Sequence, residues 1–239
     1  MKEQDSLKQS IEKIGLTGGA LLAAGISPNL FVIAQAGYAK LSILAVNFLF
    51  PSIVVLLAIL LVGTFRGHTD LVAQIRYGIL AGLLATVGLE VVRHVGFLLG
   101  GMPGEMPKLL GVLLLDRFAL GPNWLSNLAG WGYHFWNGAA FGIVYTLLFG
   151  KPRLWGSISF AVLIGIGFMV SPATTALGIG IFGIRFNIGF PITVTLAHVV
   201  FGFILWMVIH RYASDNSVSI LARMKNVVAP SGTTTTIEK

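Results

Sequence analysis

Five stretches of this chain, about residues 43–64, 77–100, 124–149, 156–174 and 190–210, run through apolar residues with very few charges. Crossing the roughly 30 Å hydrocarbon layer of a bilayer takes about 20 such residues in a helix. Lipid offers no water to backbone N–H and C=O groups, so runs of this kind fold as helices or as strands of a closed barrel. Barrel strands alternate apolar and polar residues, whereas these runs are continuous. Composition agrees: the chain is 55% hydrophobic and 10% charged, with a mean hydropathy of +0.85, outside the range of soluble domains. The expected fold class is all-α, a polytopic transmembrane helical bundle of five or six spans.

The cations fall in the short segments between runs. Arg66 and Arg76 lie between the first two, Lys151 and Arg153 between the third and fourth, and Arg211, Arg223 and Lys225 after the last. The positive-inside rule places all of them in the cytoplasm and the loops 101–123 and 175–189 outside. The formal charge of +7 therefore encodes orientation in a bacterial inner membrane, with the C-terminus cytoplasmic, and does not point to nucleic acid. Residues 1–42 read either as a sixth span interrupted at Ser27-Pro28-Asn29 or as a signal peptide cleaved after Ala34-Gln35-Ala36. Residues 211–239 read as a cytoplasmic tail, disordered over its low-complexity end, "APSGTTTTIEK". In the first outer loop "MPKLLGVLLLDRF" has an apolar stripe at helical spacing, which predicts a short helix lying at the membrane interface. The second outer loop, rich in glycine, is expected to dip partly into the membrane where protein covers it.

A weak repeat runs through the bundle of residues 43–210. Its units, 77–149 and 156–210, each start with a glycine-spaced span and return through a helix carrying His-x-x-x-Gly. His134 precedes Gly138 in one, and His198 precedes Gly202 in the other. Gly78 with Gly82, and Gly138 with Gly142, form the G-x-x-x-G spacing that lets membrane helices approach closely.

Counted from the outer helix ends at 1.5 Å per residue, His94 lies about 9 Å deep, His198 about 12 Å, and Glu90 and His134 about 15 Å. Ionisable groups inside a membrane segment are costly and face the bundle interior. Three readings of Glu90, Arg93, His94, His134, Asn137 and His198 follow. The groups satisfy one another across packed helices. Alternatively His94, His134 and His198, with Glu90, hold a metal ion, or two histidines ligate a b-type haem. Or they line a translocation path. The chain has no cysteine, which excludes disulfides, iron–sulfur clusters and covalently attached haem. His68 lies in the inner loop and His210 at the inner end of the last run, and both are expected to be solvated or to snorkel. Phosphate-binding loops, dinucleotide fingerprints and hydrolase motifs do not occur in suitable contexts, so autonomous catalysis is not expected.

The segments "YGILAGLLAT", "GYHFWNGAAFGIVY" and "TLAHVVFGFILW" resemble a group of uncharacterised bacterial polytopic membrane proteins with a repeated His-x-x-x-Gly helix. The resemblance spans about residues 77–210 and implies a small helical bundle with no assigned activity. The expected function is an integral membrane accessory subunit. Its outer-half His/Glu pocket would bind a metal or haem for electron transfer beside other membrane or periplasmic subunits. The competing expectations are a cofactor-free assembly subunit and a small-molecule or ion transporter.

Overall fold

The computed structural model describes residues 2–214 and 217–228, and among them every regular element is helical. In chain order these are α1 (Lys2–Gln35), α2 (Leu41–Leu44), a π-helical turn (Ala45–Leu49), α3 (Phe50–Phe65), α4 (Thr69–Leu98), α5 (Met106–Leu114), α6 (Trp124–Phe149), α7 (Leu154–Val170), α8 (Pro172–Ala176), α9 (Gly189–Tyr212) and α10 (Ile220–Val228). Residues 41–65 form one continuous rod. Its π turn directly precedes Pro51, which has no N–H for the carbonyl four residues back and whose ring needs room against it.

Four stretches are long and apolar enough to cross a membrane: Leu7–Gln35, Leu41–Phe65, Thr69–Leu98 and Gly189–Tyr212. This redistributes the five apolar runs. Residues 124–149 do form a 26-residue helix, α6, about 39 Å long at 1.5 Å per residue. However, His134, Asn137 and several glycines lower its hydropathy. The run expected at 156–174 is broken, and α7 ends at Val170 after 17 residues. There Ser171 Oγ accepts from Ala173 N and caps a new short helix beginning at Pro172.

Helix α4 lies between α6 and α9 and packs closely on both. The approach to α6 is a crossing of small residues: a Cβ on Gly82 would fall 2.0 Å from the Gly138 carbonyl oxygen, and one on Gly142 would fall 2.0 Å from that of Gly78. Gly202 of α9 meets α7 in the same way, with a Cβ position 2.6 Å from Ile158 Cα. Around these contacts Ala81, Ala85, Ala161, Ala197 and Leu205 are fully buried. Close backbone approach at these glycines brings the helices together, and larger side chains such as Tyr145, Phe201 and Ile209 fill the space beside them.

The short helix expected in the first outer loop forms as α5, but not as a free interfacial element. A Cβ on its Gly111 would fall 1.8 Å from the Ser126 carbonyl oxygen, and one on Gly130 would fall 1.9 Å from that of Pro107. Its apolar stripe, including Pro107, Leu110 and Val112, is buried. The Asn123/Ser126 capping box, with both backbone-to-side-chain bonds at 2.8 Å, starts α6 beneath it. The second outer loop folds into α8 and a 3-10 turn, with Arg185 N donating to Ile179 O at 2.9 Å.

At the opposite end a polar cluster ties the termini together. Glu12 accepts two bonds from Arg66 at 2.8 and 2.7 Å, and Lys13 pairs with Asp70 at 2.8 Å. Arg223 of α10 reaches Asp70 at 2.7 Å and also Gln74. Gln74 Nε2 in turn donates to the carbonyls of Thr146 and Val218, each at 3.1 Å. Residues 220–228, within the stretch read as a tail, are folded onto the bundle, and the low-complexity end 229–239, expected to be disordered, lies outside the described residues. His68 is not solvated but 4% exposed, 3.5 Å from Glu12. His210 is exposed and stacks on Trp206.

Candidate functional site

The polar groups at the end of the bundle that carries α5 converge because α4 packs closely on both α6 and α9. Glu90 Oε1 lies 2.8 Å from His134 Nε2 and also accepts from Arg93 Nη1 at 2.7 Å. One carboxylate oxygen thus joins two residues of α4 to one of α6. All three side chains are largely buried, with Arg93 at 10%, His134 at 15% and Glu90 at 16% exposure. A nitrogen facing a carboxylate carries its proton, so His134 donates from Nε2.

His198 sits on α9 and is held differently. Its Nδ1 is 2.7 Å from the Val194 carbonyl oxygen. A carbonyl only accepts, so Nδ1 carries the proton and, in the neutral ring, Nε2 is left with a lone pair. The ring lies on Gly165 of α7, where a Cβ would fall 2.8 Å from His198 Cγ. That glycine belongs to the spaced run of α7, yet only the fold reveals that its missing side chain makes room for an imidazole.

Arg93, His134 and His198 line one cavity of about 390 Å³. Its walls are otherwise mostly apolar, with Phe31 and Val32 from α1, Leu110 from α5, Phe141 from α6, Phe168 from α7 and Phe201 from α9. Asn137 joins from α6, its Oδ1 accepting from Ser27 Oγ at 2.5 Å, and Tyr133 donates to the Ser27 carbonyl at 2.7 Å. These bonds hold α1 to α6 beside Pro28, whose missing N–H leaves the α1 ladder open at the cavity wall. No composition signal marks Ser27 as the partner of Asn137, since the two lie 110 positions apart.

His94 does not join this group. It is exposed and faces away, one position past the buried stripe that includes Leu89, Arg93 and Gly96. Among the described residues no set of three or more His, Asp or Glu side chains is placed to hold a metal ion. Glu90 is shared between Arg93 and His134, and His198 has committed Nδ1 to the backbone. The repeated histidines therefore come to one cavity, by different local arrangements, while the third candidate ligand stays outside. A second cavity, of about 400 Å³, lies between Thr64, Arg76, Tyr77 and Tyr212 at the end that carries the polar cluster.

Fold and site together describe a protein that is all-helical among the described residues, with four helices long and apolar enough to cross a membrane and a cavity where polar side chains of α4, α6 and α9 meet. The chain belongs to a family of unknown function, DUF6789, whose model matches residues 72–220, more than half of the chain. That match covers α4 to α9 and leaves α1 and α3 outside it. No curated protein and no solved structure matches the chain.

Proposed function

We propose that this protein is a multi-pass inner-membrane subunit whose outer-half cavity binds a small organic molecule. In this reading α1, the rod 41–65, α4, α6, α7 and α9 are six spans, α1 is retained as a structural span, and both termini face the cytoplasm. α6 crosses despite its polarity because the polar groups face protein and cavity, where membrane proteins place such groups. The observation that carries the proposal is the cavity itself. A volume of about 390 Å³ is within the range of small-molecule sites, and such sites combine mostly apolar walls with a few convergent polar groups.

A metal or haem for electron transfer is supported less well. In its favour, Glu90 orients His134 as an outer-shell carboxylate does, and His198 Nε2 is open to the same cavity. Against it, His94 lies outside and Glu90 is neutralised by Arg93. A purely structural role explains the glycine crossings but not an open cavity beside them.

The test is to purify the full chain in mild detergent and analyse its extract by mass spectrometry, with a visible spectrum and elemental analysis of the same sample. The proposal expects a small molecule at stoichiometric level. It also expects that molecule to be lost in Gly167→Phe, where the added ring enters open space at the cavity wall. A Soret band or bound metal that disappears in both His134→Ala and His198→Ala would replace it with the haem or metal reading.

A further inference from the structure

We infer that the cavity opens sideways into the bilayer between α1 and α7 and takes a neutral, lipid-soluble ring compound bearing carbonyl or hydroxyl oxygens, the quinone class. This rests on the ligand-binding reading above and names its substrate class.

The position of the opening follows from how the walls pack. α1 and α7 both contribute lining residues, yet they make little contact with each other; α1 touches α8 instead. On that side Asn29 of α1 and Gly167 of α7 are exposed although both line the cavity. A Cβ on Gly167 would meet nothing within 4 Å. The other sides are closed by the tight α4–α6 and α7–α9 crossings and by α5. In their C-terminal halves α7 exposes Leu163, Ile166 and Val170, and α1 exposes Leu22 and the polar Asn29; in the membrane-spanning reading the gap between them faces hydrocarbon and admits molecules dissolved in it.

Charge selects the head group. Among the described residues Arg93 is the one cation lining the cavity, and it is already balanced by Glu90 at 2.7 Å. A carboxylate or phosphate entering here would leave a net negative charge in a low-dielectric site, which is costly. A neutral oxygen meets no such cost. Among the described residues Arg93 has no protein acceptor besides Glu90, so its remaining N–H groups are available to a carbonyl. His198 Nε2 offers the complementary acceptor for a hydroxyl. A quinone carbonyl therefore finds a donor at Arg93, and the reduced hydroquinone finds a partner at both positions, one hydroxyl oxygen accepting from Arg93 and the other hydroxyl donating to His198 Nε2.

The walls select the ring. Phe31, Phe141, Phe168 and Phe201 come from four different helices to line the cavity, and aromatic faces and edges favour a flat partner. The volume suits a ring head with the start of a tail that leaves through the gap.

The test uses the full chain in lipid nanodiscs. A para-benzoquinone with an alkyl tail and its hydroquinone are the probes and a fatty acid of equal tail length the anionic comparison; quinone binding is read by tryptophan fluorescence quenching, and the hydroquinone and fatty acid by their displacement of the quinone. The quinone should bind at least tenfold more tightly than the fatty acid. His198→Phe should weaken binding of the hydroquinone form about tenfold, the value of one lost hydrogen bond of about 1.4 kcal/mol, and change quinone binding little. Gly167→Phe should abolish it with unchanged thermal stability. Tighter binding of the fatty acid, or quinone binding unaffected by Gly167→Phe, overturns the inference. If neither probe binds while an extractable molecule is still lost in Gly167→Phe, the quinone assignment falls and the ligand-binding reading stands. If neither probe binds and nothing is extracted, both fall.

Discussion

Glu90 Oε1 stands 2.8 Å from His134 Nε2, a contact that joins α4 to α6 across 44 positions of sequence. The same oxygen accepts from Arg93, so the carboxylate is the centre of a three-residue network and not the end of a pair.

Removing that centre is expected to cost more than removing either arm. Glu90→Ala leaves the Arg93 guanidinium buried without a partner, and breaking a buried pair in this way costs about 3–5 kcal/mol. His134→Ala removes one neutral donor while the ion pair persists, for about 1 kcal/mol. Reversible unfolding in mixed detergent micelles measures both. Equal losses would show that the carboxylate is not the organising group.

The glycine crossing should tolerate no added methyl. A Cβ on Gly82 meets backbone atoms of α6 at 2.0 Å, so Gly82→Ala must push the helices apart, for about 1–3 kcal/mol. Gly132→Ala is the control, because its Cβ meets nothing within 4 Å. That change should be neutral or slightly stabilising, since alanine suits a helix interior better than glycine by about 0.5–1 kcal/mol. The same unfolding assay separates the two.

The polar clamp at the end of the bundle opposite α5 should hold α10 in place. Arg223 is 8% exposed and bonds to both Asp70 and Gln74. Arg223→Ala leaves Asp70 with Lys13, so the loss should be below that of a fully broken buried pair, on the order of 2 kcal/mol. Hydrogen exchange is expected to rise in residues 220–228 first, with little change in α4 and α6 cores. Unchanged exchange in α10 would mean that its docking rests on other contacts.

Orientation can be read without background because the chain has no cysteine. Gly104→Cys places a thiol in the first outer loop, where a Cβ meets nothing within 4 Å, and Lys225→Cys places one on exposed α10. In intact cells a membrane-impermeant maleimide should label the first and not the second. Permeabilisation should expose Lys225→Cys. Labelling of both before permeabilisation would rule out a chain with its C-terminus in the cytoplasm.

What the sequence by itself determined is the helical class, the depth of each polar residue along its own helix and the tight spacing motifs. Each of these depends on local properties: hydropathy over about 20 residues, depth counted along a helix, and small residues at a four-residue interval. Local pattern misled where two elements share one run. Residues 156–174 look like one span, but Ser171 and Pro172 end α7 at Val170 and start α8. The apolar stripe of α5 looks made for a lipid surface, but Gly111 and Gly130 bring it onto α6 instead.

Only the tertiary structure decided which polar groups share a space. Glu90 and His94 lie four apart on one helix, yet Glu90 bonds across to α6 while His94 is exposed. The helix rotation that separates them is set by the Gly78 and Gly82 contacts with Gly142 and Gly138. Likewise His198 reaches the cavity because Gly165, on another helix, has no side chain in the way. A residue's depth follows from counting along its own helix, but its neighbours follow from how helices far apart in sequence pack, and that packing is a property of the whole bundle.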